Sequence, residues 1–350
     1  MNRSPIMAMK WMVILLLSVA MAAAVAGCGN GDEAPRDSGP FAGLHYRVVW
    51  VQDAAQNRDV FCQGNALRLM ALDSRQPGVE RQVVPGNGSF VKPLLSADGS
   101  RIVYSSRLDA DRSEVWLVNW DGSDRQRIAR GRALALWRDP ATGREWLYFQ
   151  KNPAPGRPAD TGILFRRPLE AGAGEERVWP GREIRLSQDT LQLAADGSRA
   201  AGLFPWPRAG VVGMADGRIR IYDRGCWTAL APDNSYLFWV FQDNHRRLTM
   251  VDTRGTGRWQ VDISGAPLIS GHEVYHPRWS NNRRYLAISG PYTIMHGGNA
   301  IRGGGETIEI LIGRFNSGLR AIEAWQQVTR NRRADFFPDL WVDPRTTAAR

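Results

Sequence analysis

The sequence predicts an all-β fold assembled from a repeated unit of short strands. Three observations predict it. Short apolar runs recur along most of the chain in two interleaved series. Turns built on Asp-Gly, Asp-Asn or Asn-Asn precede four members of the first series. Met70, Val118, Arg166, Met214, Met250 and Ile312 hold equivalent positions in the second series and follow one another at intervals of 48, 48, 48, 36 and 62 residues, about 48 on average. A period of this size marks an array of like supersecondary units.

The N-terminus reads as an address label, not as part of the array. Arg3 and Lys10 form a positive flank, and Trp11 to Val25 is an apolar stretch broken only by Ser18. It falls short of the ~20 residues that span a bilayer as a helix and suits a secretory signal. Val25-Ala26-Gly27-Cys28 resembles the lipobox of bacterial lipoproteins. That resemblance implies a signal peptide over 1–27 and a lipid-modified Cys28 at the head of the mature chain. Attachment through two or more acyl chains is stable, at about 0.8 kcal/mol per buried CH₂. Gly29, where an Asp would signal retention, implies the outer membrane, facing the periplasm. Residues 28–44 are polar and rich in Gly and Pro, and are expected to be a flexible tether.

The strands follow in order. The first series is Val48–Val51, Ile102–Tyr104, Trp146–Phe149, Ala200–Phe204, Leu237–Phe241 and Tyr285–Ile288. Such near-continuous apolar runs suit strands buried on both faces. The second series is Leu67–Leu72, Val115–Val118, Ile163–Phe165, Val211–Met214, Leu248–Val251 and Ile308–Ile312. Ser96–Ser100, Ala194–Ser198, Ala231–Ser235 and Trp279–Arg283 are the turns, and Asp-Gly and Asn-Asn tolerate the positive φ of tight hairpins. Trp120-Asp121-Gly122-Ser123 closes a second-series strand.

These turns and strands resemble the TolB-type β-propeller repeat, most closely over Leu95–Ile128 and least between 138 and 180, where no Asp-Gly turn survives. The resemblance implies a six-bladed β-propeller of four-stranded blades over residues 45–343, followed by a disordered tail at 344–350. Phe336–Val342 comes after the sixth unit and is expected to close the ring by pairing beside Arg47–Val51 in the first blade. Closure removes exposed sheet edges.

Charge gives little direction. The formal net charge is +10, yet all but three of the 45 basic residues are Arg. That bias is what a GC-rich coding sequence produces. The arginines are scattered apart from Arg330-Asn331-Arg332-Arg333, so no nucleic-acid partner is expected. Anionic lipid or lipopolysaccharide is a weaker alternative for the basic surface. Cys62 and Cys226 fall on blades that are not neighbours, and no disulfide between them is expected.

Candidate site residues are few. His272-Glu273-Val274-Tyr275-His276 matches the H-E-x-x-H pattern of zinc peptidases. Pro277 and the β-prone Val274 and Tyr275 argue against the helix that chemistry needs. In a propeller, the strand carrying His272, His276 and Arg278 would instead line the central channel. The Gly-rich insertion 290–306 offers His296, Asn299 and Arg302 as ligand contacts. Trp206, between Pro205 and Pro207, is a candidate exposed aromatic. No Gly-x-Ser-x-Gly elbow occurs, no catalytic residue is assigned, and no metal or cofactor is expected.

The expected function is therefore a lipid-anchored, monomeric cell-envelope propeller. It would bind or scaffold a protein, peptide or glycan partner without catalysis. The alternative is a polysaccharide lyase or glycosidase with its active site at the channel mouth.

Overall fold

The structure is a computed structural model and describes residues 39–347 apart from 58, 60–61, 111, 152–162, 171, 188–189, 243–244, 295–300 and 303–304. Cys28, the proposed signal peptide, His296 and Asn299 lie outside the described residues.

Six antiparallel sheets form the blades. Blade 1 holds β1 (Tyr46–Asp53), β2 (Leu67–Asp73) and β3 (Arg81–Gln82), with the final strand β25 (Asp335–Val342) on its inner side. Blade 2 runs from the inside outward through β4 (Phe90–Leu95), β5 (Arg101–Arg107), β6 (Ser113–Asn119) and β7 (Gln126–Arg130). Blade 3 is β8 (Arg132–Arg138), β9 (Glu145–Gln150), β10 (Leu164–Pro168) and β11 (Glu176–Arg177). Blade 4 is β12 (Gln192–Leu193), β13 (Arg199–Leu203), β14 (Arg208–Gly213) and β15 (Ile219–Arg224). Blade 5 is β16 (Trp227–Leu230), β17 (Leu237–Gln242), β18 (Arg247–Asp252) and β19 (Arg258–Asp262). Blade 6 is β20 (Glu273–Trp279), β21 (Tyr285–Ile294), β23 (Glu309–Phe315) and β24 (Ile322–Gln327), with β22 (Ile301–Arg302) added beside β21.

The inner strands touch one another in a complete circuit, from β25 through β4, β8, β12, β16 and β20 back to β25. The six-bladed ring expected from the repeat is therefore closed. Its closure is the predicted one: β25 pairs antiparallel with β1, with Val48 opposite Leu340 and Val49 opposite Asp339. The two recurring strand series are the second and third strands of each blade. The first series is buried on both faces because each blade is packed between two others. Trp239, Trp279 and Phe315 fill one such interface, and Val103, Leu117, Leu147 and Phe149 another.

Both ends of the propeller differ from the expected boundaries. Phe41 and Leu44 are buried against Tyr46 and Tyr285, so packing starts inside the segment expected to be tether. After the last strand, Pro344–Thr347 form one helical turn. Proline suits the first helical position, and Asp343 caps the turn by accepting from Arg345 N–H at 3.0 Å.

Candidate functional site

Three inner strands share a local device. In β4, β20 and β25 the pairs Lys92-Pro93, His276-Pro277 and Phe337-Pro338 each put a non-glycine residue at positive φ, at 36°, 51° and 54°. Each strand carries a register shift at this place. Proline lacks the N–H that a ladder requires and is tolerated here because an inner strand is an edge facing the channel. The resulting bulges re-aim the following side chains. They bring Lys92, His276, Arg278 and Asp339 to the axis.

On the axis itself these groups are nearly all satisfied. Arg278 Nε donates to Asp339 Oδ1 at 2.7 Å. Asp339 Oδ2 accepts from Leu95 N–H at 2.6 Å. Lys92 Nζ donates to Leu134 O at 2.9 Å. Burial pushes the Asp339 carboxyl above its ordinary range, and Arg278 and Lys92 oppose the shift. His276 Nδ1 lies 2.9 Å from Ser289 Oγ, while its buried Nε2 meets no protein partner. Burial holds this imidazole well below its usual titration range, so it is neutral at pH 7. The cavity it faces, of about 30 Å³, is large enough for a water and little else. An aromatic cluster packs around His276. The rings of Phe337, Tyr275 and Trp227 stand 3.9, 4.6 and 5.3 Å from that of His276.

The other side of the Arg278–Asp339 pair opens into a funnel of about 410 Å³ on the face that carries the Asp-Gly turns. All six blades contribute to its wall, among them Trp341, Ser96, Arg138, Ala194, Pro232 and Asn281. Trp341 Nε1 donates to Ala97 O and Trp137 Nε1 to Ala195 O, both at 2.9 Å. Each indole thus bridges its own blade to the turn of the next. Glu145 accepts from Ala97 N–H at 2.6 Å and faces Arg101 at 3.4 Å, and burial raises its carboxyl. Asn281 pairs twice with the Val342 backbone, at 2.7 and 2.9 Å. The rim is rigid because the turns are bonded to neighbouring blades, and it offers indole edges, amides and charges of both signs.

Of the residues singled out in the sequence, His276 and Arg278 meet in the channel. His272 does not join them: it is exposed in the turn before β20, where its carbonyl accepts from Arg246. The H-E-x-x-H stretch is largely strand, and among the described residues no group of His, Cys, Asp or Glu is placed to hold a metal. Trp206 is 62% exposed in the β13–β14 loop, on the face opposite the funnel. Arg302 pairs with Thr293 between β22 and β21. Lys92 and Asp339 went unnoticed in the sequence. The signal that marks them is the proline next to each, matching Pro277 in the strand already suspected.

No family model matches the chain, and no curated protein matches its sequence. Solved structures do match. TolB from Acinetobacter baumannii is similar with a TM-score of 0.54 and 13% identity, covering 84% of this chain and 66% of that one. Hydrazine synthase of Kuenenia stuttgartiensis matches at TM-score 0.48 and 12% identity, over 85% of this chain and 47% of that one. AztD of Citrobacter koseri matches at 0.46 and 10%, over 86% and 98%. Among the described residues no helix is long and apolar enough to cross a membrane. At this level of identity, the likeness to TolB establishes one conclusion: the chain has a TolB-like six-bladed β-propeller fold.

Proposed function

We propose that this chain is a lipid-anchored binding module of the cell envelope, tethered through Cys28 and presenting its funnel to a protein, peptide or glycan partner. One observation carries the binding part. A funnel of about 410 Å³ is built by all six blades, with the Arg278–Asp339 pair at its floor. That volume lies within the ~300–1,000 Å³ typical of ligand pockets. A few residues of a partner fill it, and the paired indoles and rim amides provide contact area and hydrogen bonds. The anchor rests on the apolar Trp11–Val25 stretch and the Cys28 that follows it.

The test places a diazirine amino acid at Asn281 or Arg138 in the funnel and at Arg127 on the outermost strand of blade 2, then irradiates intact cells. Adducts from the two funnel positions and none from Arg127 are expected. Adducts confined to Arg127, or none at the funnel, contradict the reading. The mass of the native N-terminal peptide tests the anchor: an acylated Cys28 is expected, and an unprocessed or unmodified cysteine refutes it.

A further inference from the structure

On the face opposite the funnel, three side chains from three separate segments line up. Cys226, half-buried just before β16, places Sγ 3.4 Å from His245 Nε2. His245 precedes β18, and its Nδ1 lies 2.7 Å from Glu273 Oε2 at the start of β20. The imidazole and the carboxylate are both buried, at 2% and 4% side-chain exposure. The carboxylate accepts Nδ1–H, which fixes the tautomer and turns the Nε2 lone pair toward the thiol. This is the arrangement of nucleophile, base and orienting group that activates a weak nucleophile. The imidazole is also held at a cost, since His245 sits at φ 45°. A non-glycine residue persists at positive φ only where its surroundings over-determine it, and such residues cluster at functional sites. Phe241 and Tyr275 flank the ring at 4.9 and 5.5 Å and keep it from rotating away. Gly225 N–H donates to Pro207 O, which ties the cysteine segment to the loop bearing exposed Trp206.

We infer that Cys226 is a base-activated thiol that exchanges with the disulfides of small molecules or peptides. The Sγ proton passes to His245 Nε2, and the thiolate attacks one sulfur of R–S–S–R. The new bond joins Cys226 Sγ to that sulfur as the S–S bond of the reagent breaks. The departing RS⁻ takes the proton back from the imidazolium and leaves as RSH. Cys226 is oxidised to the mixed disulfide, half of the reagent is reduced, and Glu273 keeps its hydrogen bond to Nδ1. Attack by a thiolate is what sets the rate of such exchange, and pairing with an imidazole is a known means of raising the thiolate fraction. The site is independent of the funnel and of its partner.

The full chain is treated with 4,4′-dithiodipyridine, and each cysteine peptide is followed by mass spectrometry so that Cys28, Cys62 and Cys226 are read separately. Cys226 is expected to react about tenfold faster in the folded chain than in the same chain unfolded in urea at the same pH. His245→Asn tolerates the left-handed backbone and is expected to slow the reaction of the folded chain about tenfold. A folded rate equal to or below the unfolded rate overturns the inference, whether or not the variant folds. So does a folded His245→Asn chain that reacts at the wild-type rate.

Discussion

At the scale of single residues, buried charge is placed where strands from the two ends of the chain meet. Asp335 opens β25 and accepts from Trp50 Nε1 at 2.7 Å and Gln52 Nε2 at 2.9 Å, both on β1. Its second oxygen accepts from Asn331 Nδ2 at 2.7 Å. Burial pushes the carboxyl up to about 7 despite these three donors, with Glu80 adding to the shift. An unfolded aspartate titrates near 3.9. Between those values the folded chain binds the extra proton, so the contribution of Asp335 to stability is full at low pH and is lost as pH rises toward 7. Asp335→Asn removes this titration. Relative to wild type the variant is expected to gain ~2 kcal/mol as pH is raised from 5.5 to 8. Urea unfolding of both proteins at the two pH values measures it, and a pH-independent difference contradicts it. Such pairings were not legible beforehand. Asp335 reads as one carboxylate among many, and its β1 partners Trp50 and Gln52 lie nearly the whole chain away. Pro277 was legible as a bar to helix. That it belongs to a threefold device with Pro93 and Pro338 emerges only when the three strands stand side by side.

At the scale of elements, the Asp-Gly turns join blades as well as reversing the chain. Gly99 has φ 70°, and a Cβ built on it would stand 2.6 Å from Trp341 Cδ2. Gly78 has the same kind of backbone, φ 73°, with nothing within 4 Å. Both Gly→Ala changes carry the ~1–2 kcal/mol of a left-handed alanine. Only Gly99→Ala also displaces the indole that bridges blades 1 and 2. It is expected to lower the melting temperature well beyond Gly78→Ala and to shift the tryptophan emission. Equal losses from the two variants would show that the indole contact contributes nothing. Blade 3 explains why the repeat fades between 138 and 180. Its β8–β9 connection is the longer loop Asp139–Arg144, in which Gly143 supplies the positive φ without an Asp-Gly pair. The unequal interval between Met250 and Ile312 has a spatial cause as well, because the blade 6 hairpin is extended by β22. The period therefore persists in space where the motif is lost from the sequence.

At the scale of the whole molecule, the funnel depends on closure. The funnel floor is a contact between Arg278 of blade 6 and Asp339 of the closing strand, so an open ring would have neither a floor nor a fixed rim. Architecture was readable because a repeated unit announces itself many times over, and because the unmatched strand at the C-terminus had one place to go. The candidate site was only partly readable. Its wall is drawn from six blades, and no spacing along the chain reports which side chains converge. The Cys226–His245–Glu273 arrangement was hidden for the same reason. Hydrogen exchange in native buffer, resolved by peptide, tests closure most directly. Amides of β1 are expected to be protected as strongly as those of β5 and β17, because β1 is paired on both sides, and the laddered amides of β25 as strongly as those of the inner strands β4 and β8. Exchange of β25 within seconds, with β4 and β8 still protected, would mean that the ring stands open and the account is wrong.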